Sequence, residues 1–149
     1  MDDNEYLSQQ LDLLCLNLRE MDAIYVQYAK KIGVSHPYLK VLDIIYFFQK
    51  NQTTCTQKNI CEQSFLPKQT VNSIVTALCK DGFLELKEST TDRRTKMILL
   101  TDNGFEKMSN LITKMLDAQF KAFAMLKPES RKILVESLTT LNKNLKELI

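Results

Sequence analysis

The fold of this chain is decided by the stretch Thr56–Lys96, which reads TQKNICEQSFLPKQTVNSIVTALCKDGFLELKESTTDRRTK. This order of apolar and turn-forming residues predicts a pair of short helices joined by a tight turn, then a strand, a basic turn and another strand. Such an order is that of a winged helix-turn-helix. We therefore expect a compact winged lobe in the middle of the chain, with the other residues arranged around it.

The later helix of this stretch has an apolar face and a polar face. The apolar face follows the i, i+3, i+4, i+7 spacing and comprises Val71, Ile74, Val75 and Leu78. The polar face comprises Lys68, Gln69, Asn72, Ser73, Thr76 and Lys80. No carboxylate occurs between Pro67 and Lys80, so this face can approach a polyanion without repulsion and can hydrogen-bond base edges. The alternative interpretation is an ordinary solvated helix face.

The composition favours a mainly helical protein with a small β element. At 149 residues the chain has the size of one domain, and only three Gly and three Pro are available to break helices. The formal net charge of +2 is too small to indicate a polyanionic partner by itself. The phosphate-binding surface is predicted from a local cluster of cations, Lys68, Arg93, Arg94 and Lys96.

Several classes of protein are not expected from this sequence. Asp2, Asp3 and Glu5 stand where a secretory signal needs positive charge, and the longest apolar run, Ile44–Phe48, is far shorter than a membrane span. We therefore expect a soluble, cytoplasmic protein with reduced thiols and no membrane partner. The four Cys lack Cys-x-x-Cys spacing and there is one His, so no metal or other cofactor is predicted. The sequence has no glycine-rich phosphate loop and no Ser-His-Asp constellation, which argues against an enzyme.

Both ends of the chain carry heptad seams. The N-terminal seam runs at spacings of four and three through Leu7, Leu11, Leu14, Leu18, Met21, Tyr25, Tyr28 and Ile32. The C-terminal seam comprises Leu134, Leu138, Leu141, Leu145 and Leu148. Two such seams beside one small lobe predict a two-fold homodimer, and an internal helical bundle of a monomer is the alternative. In a single chain of residues 1–149, residues 1–34 and 102–149 are thus predicted to be dimerisation helices, and residues 35–101 the winged lobe.

The boundaries of the elements follow from caps and helix breakers. Thr54 and Gln57 have the Thr-x-x-Gln spacing of a capping box for a helix that ends near Gln63, and Thr56 is the alternative N-cap. Pro67 suits the first position of the next helix, and Thr101 caps a long one. The other predicted elements are a buried central helix over Tyr38–Lys50, helices over Asp102 to about Met125 and from Pro128, and strands beginning at Phe83 and Lys96.

With these elements in order, the sequence resembles the multiple antibiotic resistance regulator (MarR) family over nearly its whole length. The residues that carry the resemblance are Ile60-Cys61 with Thr70-Val71 and Ile74, Asp81-Gly82-Phe83-Leu84, Asp92-Arg93-Arg94, and Leu100-Thr101-x-x-Gly104. Two positions depart from it. Phe65 stands where such turns commonly have Gly, and Cys61 where Ala is common. We expect the larger turn residue to pack under the following helix and change its tilt.

The resemblance implies a homodimeric repressor of transcription that binds a pseudopalindromic operator in double-stranded DNA. The predicted DNA contacts are Lys68, Gln69, Thr70, Asn72, Ser73 and Thr76 on the recognition helix, and Arg93, Arg94 and Lys96 in the wing. Asp92 is expected to orient an arginine rather than to touch DNA. A solvated hairpin tip is the alternative for the wing motif. The alternative for the whole protein is a winged-helix protein-interaction module without specific DNA binding.

The resemblance also implies release from DNA by a small-molecule effector or an oxidant. Candidate ligand contacts are Tyr25, Tyr28, His36, Tyr38 and Tyr46, and packed core or interface aromatics are the alternative. Cys15 is the candidate for oxidation. Because it adjoins Leu14 and Leu16, the alternative is a packed and inert thiol. Cys61 and Cys79 are expected to be buried in the winged lobe.

Overall fold

The structure, a computed structural model, describes residues 2–149 and confirms a mainly helical chain with a small antiparallel sheet. The helices are α1 (Asp3–Lys31), α2 (His36–Lys50), α3 (Gln57–Ser64), α4 (Lys68–Lys80), α5 (Asp102–Ala124) and α6 (Pro128–Leu148). The strands are β1 (Cys55–Thr56), β2 (Leu84–Glu88) and β3 (Lys96–Leu100). The chain divides into two compact units, one ending at Ile112 and the other running from Thr113 to Ile149.

The sheet has three strands in the order β1-β3-β2, all antiparallel. Strands β2 and β3 form the predicted hairpin, with Leu84 opposite Leu100 and Glu88 opposite Lys96. Strand β1 pairs on the other side of β3 through Cys55, which lies opposite Ile98. A strand of two residues shows no alternation, and the sequence therefore did not predict it.

The core of the first unit forms around α2, as predicted for the central helix. The buried residues of α2 are Leu39, Val41, Leu42 and Ile45. They lie on more than one face of the helix, so other elements pack around it. The other apolar side chains buried in this unit are Ala29, Cys55, Ile60, Val71, Val75, Leu78, Leu84, Ile98, Leu100, Met108 and Ile112. Since α3, α4 and the sheet all contribute to this core, the helix-turn-helix and the wing are parts of one packed body.

Helix caps correct two predicted boundaries. Helix α2 begins at His36 and not at Tyr38, because the Ser35 hydroxyl accepts a hydrogen bond from the Tyr38 N–H at 3.2 Å. The N-cap of α3 is Thr56, the alternative assignment, and the Thr54–Gln57 capping box was wrong. The reciprocal partner of Thr56 is Asn59, whose side-chain oxygen accepts from the Thr56 N–H at 2.9 Å.

The start of α5 is joined tightly to the end of α4. The Thr101 hydroxyl accepts from the Gly104 N–H at 2.9 Å, which confirms the predicted cap, and donates to the Gly82 carbonyl at 2.7 Å. The Thr101 N–H donates to the Phe83 carbonyl at 3.1 Å. A Cβ on Gly104 would lie 1.9 Å from that carbonyl oxygen, so only glycine fits. The recognition helix, the wing and α5 therefore meet at one fixed junction.

The two heptad seams are only partly covered within the single chain, and their half-buried residues are Leu14, Tyr25, Tyr28, Ile32, Leu138 and Leu141. In α1 only Ala29 is buried, and Leu7, Leu11 and Met21 are 63%, 53% and 50% exposed. In α6 no residue is buried. No helix among residues 2–149 is both long enough and apolar enough to cross a membrane.

Candidate nucleic-acid interface

Helix α4 turns its polar face to solvent because its apolar stripe is anchored in the core. Lys68, Gln69, Asn72, Ser73 and Thr76 are exposed, whereas Thr70 is half-buried. The Ser73 hydroxyl donates to the Gln69 carbonyl at 2.9 Å, so its proton is held by its own helix. Within residues 2–149, the side-chain amides of Gln69 and Asn72 make no hydrogen bond. Their donors and acceptors are therefore available for base edges.

The first turn of α4 presents uncapped backbone N–H groups. Pro67 is the N-cap of α4 and not its first helical residue, as had been predicted. No side chain hydrogen-bonds the N–H groups that follow it. The first turn also has no acidic residue, and Lys68 stands at its beginning. The positive end of the helix dipole and the Lys68 charge thus coincide, which favours an anion such as a DNA phosphate.

The wing tip is a turn shaped by the carboxylate of Asp92. Its Oδ1 accepts from the Arg94 N–H at 2.9 Å and its Oδ2 accepts from the Thr95 hydroxyl at 2.8 Å. These hydrogen bonds hold the pKa of Asp92 below its ordinary value, the Arg94 N–H having the larger effect. The carboxylate binds the main-chain N–H of Arg94, an arginine of the predicted wing motif. Asp92 thereby fixes the direction in which the wing tip points.

The cations of the wing are exposed and free to meet phosphates. Arg93, Arg94 and Lys96 are all exposed. The ion pairs of the part of the chain that the structure describes include none of these three side chains, even though Lys96 lies opposite Glu88 in the hairpin. Their charges are consequently not neutralised within the chain, which leaves them for a polyanion.

The turn between α3 and α4 differs from its expectation. Phe65 has a left-handed backbone, with φ of 55° and ψ of 23°, and its side chain is 88% exposed. The ring therefore does not pack under α4, and the prediction that it would change the tilt of that helix was wrong. The residue before it in the turn, Ser64, is buried.

Comparison with known proteins finds a family that the winged lobe resembles in sequence. Residues 32–95, from the end of α1 to the wing tip, match the model described as the MarR family. The winged lobe is thus similar to that of the MarR family, and the match covers less than half of the chain. The match and the fold are those of a winged helix-turn-helix, an element that binds DNA in transcriptional regulators. The chain is also 26% identical over 115 residues to the uncharacterised HTH-type transcriptional regulator YfiV of Bacillus subtilis, covering 77% of this chain and 69% of YfiV.

Several solved structures are similar to this chain over most of its length. NMB1585, a MarR family regulator from Neisseria meningitidis, superposes with a TM-score of 0.71 at 23% identity, covering 99% of this chain and 96% of that one. MepR of Staphylococcus aureus in its DNA-binding conformation gives 0.72 at 19% identity, with 97% and 99% covered. BpsR of Bordetella bronchiseptica gives 0.64 at 19% identity, with 88% and 91% covered. At these identities the likeness concerns the fold.

The aromatic residues that were predicted to contact a ligand make several different contacts within the chain. The Tyr28 hydroxyl donates to the Leu111 carbonyl at 2.7 Å, and the Tyr46 ring stacks on Phe105 at 5.7 Å. His36 Nε2 lies 3.8 Å from Asp22 Oδ1.

Tyr38 and Tyr25 are half-buried. Burial, and then the charge of Asp81, raise the pKa of Tyr38. A groove of about 580 Å³ follows α1, and its lining residues are Leu18, Arg19, Asp22, Ala23, Val26 and Gln27. None of the predicted ligand contacts lines this groove. The periodicity of the sequence alone could not show where such a groove lies.

The thiols lie in different environments from those expected. Cys15 is exposed within the chain, so its apolar neighbours in sequence do not enclose it. Cys61 and Cys79 are only half-buried, and the buried thiol is Cys55 in β1. Burial raises the pKa of Cys55 to about 12. Among residues 2–149, no cluster of three or more His, Cys, Asp or Glu side chains could hold a metal ion.

Proposed function

We propose that this chain is a homodimeric repressor that lays the α4 helices of its two protomers in successive major grooves of a pseudopalindromic operator. The observation that carries the proposal is the exposed, acid-free face of α4 in the same packed body as a wing with unpaired cations. An α-helix fits the major groove of B-DNA, and its first turns meet the base edges. Gln69 and Asn72 lie in those turns with their amides free.

The wing and the helix start supply the contacts that do not depend on sequence. Arg94, and with it Arg93, enters the adjacent minor groove, because a guanidinium suits its negative potential. Lys96 and Lys68 contact phosphates. Ser73 and Thr76 contribute hydroxyls on the exposed face, while Thr70 approaches from its half-buried edge.

Dimerisation is supported by the exposed apolar residues in the heptad seams of α1 and of α6. This holds for each of the two helices separately. Exposed apolar rows of this length are unusual on a monomer, and a second copy is the simplest way to cover them. A dimer also explains a palindromic target, since each protomer reads one half-site.

We further propose that an effector releases the DNA. BpsR is regulated in its DNA binding by 6-hydroxynicotinic acid, and the aromatic side chains Tyr25, Tyr28, His36, Tyr38 and Tyr46 suit an aromatic acid of this kind. The exposed thiol of Cys15 suits an oxidant instead. If the Cys15→Ser variant is still fully released by an organic hydroperoxide, this thiol is not the sensor.

In vitro selection from a random duplex library tests the proposal. We expect enrichment of an inverted repeat with half-sites about one helical turn apart, and binding to it that weakens steeply as salt rises. The selected duplex is then titrated with aromatic acids and with hydroperoxide, and a reporter carrying it upstream of a promoter should be silenced by the protein. Binding that is absent, or equal on every sequence, would favour the protein-interaction module instead.

A further inference from the structure

Phe65 combines features that are unfavourable in a free protein. Its left-handed backbone, with φ of 55°, is strained for a bulky residue and natural for glycine. The turn enforces this conformation, because the Phe65 N–H donates to the Cys61 carbonyl at 3.1 Å and the Leu66 N–H donates to the hydroxyl of buried Ser64 at 3.2 Å. A phenyl ring that is 88% exposed also gains nothing from burial.

The ring has no aromatic partner within the chain. The ring pairs found among residues 2–149 are Tyr46 with Phe105 and Phe47 with Phe48. Phe65 instead stands directly before the recognition helix, three residues ahead of Lys68. Its exposed neighbours in sequence are Glu62, Gln63, Pro67 and Lys68, and the Glu62 carboxylate is paired with Lys58 at 3.8 Å. An apolar patch this small does not resemble a protein interface.

The surroundings of the ring suit a polyanion with apolar surfaces. No carboxylate occurs from Gln63 through Lys80, and the first N–H groups of α4 are uncapped. DNA offers apolar surface beside its phosphates in the 5-methyl group of thymine and in the deoxyribose ring. Exposed aromatic side chains pack well on such surfaces.

We propose that Phe65 is a DNA-contacting residue whose ring packs on a thymine methyl group or a deoxyribose at the edge of the groove that α4 occupies. This inference rests on the proposed DNA binding and adds an apolar contact to a set of polar ones. The contact buries the ring that the turn keeps exposed, and it can favour thymine at one operator position.

The test measures the affinity of Phe65→Gly for the duplex that the wild-type chain selects from a random library. Glycine accepts the left-handed turn, so the thermal midpoint should stay equal or rise while affinity falls by about tenfold or more. The slope of log affinity against log salt should not change, because an apolar contact releases no counterion. Phe65→Asn should behave alike, and Phe65→Tyr should keep most of the affinity.

Gln52→Gly is the matched control. Gln52 is the other non-glycine residue with a left-handed backbone among residues 2–149, at φ of 53°, so its replacement relieves similar strain without removing a ring. It should leave DNA affinity unchanged. Replacing thymidine by 2′-deoxyuridine in the duplex separates the two contacts. If the methyl group is the partner, this replacement weakens the wild type and not Phe65→Gly, and if the sugar is the partner it weakens neither.

Equal affinities of folded Phe65→Gly, Phe65→Asn and the wild type would overturn the inference and leave the proposed function standing. A loss of the same size in Gln52→Gly would also overturn it, because relief of strain would then explain the effect. If the wild-type chain selects no duplex, the proposed function fails and this inference fails with it.

Discussion

At the scale of single residues, the wing shows how an acidic side chain can be part of a proposed DNA-binding surface. A carboxylate pointing outward at the tip would repel phosphate, but both oxygens of Asp92 are directed back to Arg94 and Thr95 of the same turn. The negative charge thus fixes the turn from within. The two guanidinium groups beside it stay exposed and unpaired within the described residues. The wing therefore combines a hydrogen-bonded turn with exposed cations.

Replacing Arg94 by Ala should weaken operator binding by about tenfold or more and lower the salt slope by about 1, because one minor-groove cation is lost. Fluorescence anisotropy at several salt concentrations measures both quantities. The matched control is Lys132→Ala, which removes a cation of α6 that is paired with Glu136. The dimer should remain intact in both variants. Unchanged affinity of Arg94→Ala would remove the wing tip from the mechanism.

Replacing Asn72 by Ala should have a different signature, because an amide reads bases rather than charge. We expect a loss of about 1–3 kcal/mol on operators that carry the preferred base pair, and little loss where that pair is changed. Titrations of the variant and the wild type against a panel of single-position operator variants measure this. An equal loss on every operator would mean that Asn72 contacts the DNA backbone.

The Asp92 turn should depend on pH in a defined direction. The pKa of Asp92 is lower in the folded chain than in the unfolded one, so its contribution is present above the unfolded pKa and is lost as pH falls through the folded pKa. The amide resonance of Arg94 should therefore titrate with a midpoint below that of an ordinary aspartate, as NMR can measure. In Asp92→Ala this titration should vanish and operator affinity should fall at neutral pH. A midpoint at or above the ordinary value would contradict this account of the turn.

At the scale of elements, the junction of α4, the wing and α5 determines how the DNA-binding parts are held together. The Phe83 N–H donates to the Leu78 carbonyl at 2.9 Å at the end of α4, while the Phe83 carbonyl accepts from Thr101 at the start of α5. Gly104 lets the two backbones approach closely. A change in the direction of α5 would thus be transmitted to the recognition helix through hydrogen bonds of the main chain.

Gly104→Ala should destabilise the first unit strongly. Its Cβ would overlap the Phe83 carbonyl oxygen, and the cost of moving two backbones apart is about 2–3 kcal/mol. The thermal midpoint should fall by about 5–10 °C. The matched control is Gly33→Ala, where a Cβ meets nothing within 4 Å and only the positive φ is strained, with a loss of about 1 kcal/mol. Both stability losses are measured by thermal denaturation. Equal losses in the two variants would show that the close approach at the junction can be relieved without a cost beyond that of the control.

Much of this fold could be predicted because periodicity and caps are local properties. The spacing of Val71, Val75 and Leu78 identified the buried face of α4, and Thr101 marked the start of α5. What the sequence could not provide depends on three-dimensional neighbours. Whether Phe65 packs under a helix or points outward is decided by the sign of one backbone angle. The burial of Cys55 follows from a two-residue strand that has no periodicity of its own.

The candidate site was predictable to different degrees for the same reason. The polar face of α4 is a matter of helical spacing, and its exposure could be anticipated from the stripe opposite. The contacts of Asp92 were harder to predict, because the sequence indicated an arginine beside it but not that the main-chain N–H of Arg94 is the donor. The hydrogen bond of Tyr28 to Leu111 joins residues 83 positions apart, and no local pattern predicts it.

At the scale of the whole molecule, the exposed apolar rows require an explanation that a single chain does not give. Helix α1 has apolar residues on several sides, including Leu13, Leu16 and Ile24, which lie outside the seam and are also exposed. A helix that is apolar on several sides is normally buried. Helix α6 exposes Ile133 and Val135 beside its own seam. Association of two copies would cover surfaces of this kind.

The proposed homodimer leads to a prediction that links assembly to DNA binding. Leu11→Glu places a charge in the seam of α1, at a residue that is 53% exposed in the single chain and would be buried between two copies. Light scattering after size-exclusion chromatography should show the wild type as a dimer and the variant shifted toward the monomer. Circular dichroism should remain helical, because Leu11 contributes little to the core of its own chain. Operator affinity should fall by about a hundredfold or more, since a protomer alone engages one half-site.

Gln9→Glu, which adds the same charge at an exposed polar position of α1, should stay dimeric and bind normally. A fully dimeric Leu11→Glu would place the association surface elsewhere than on this seam.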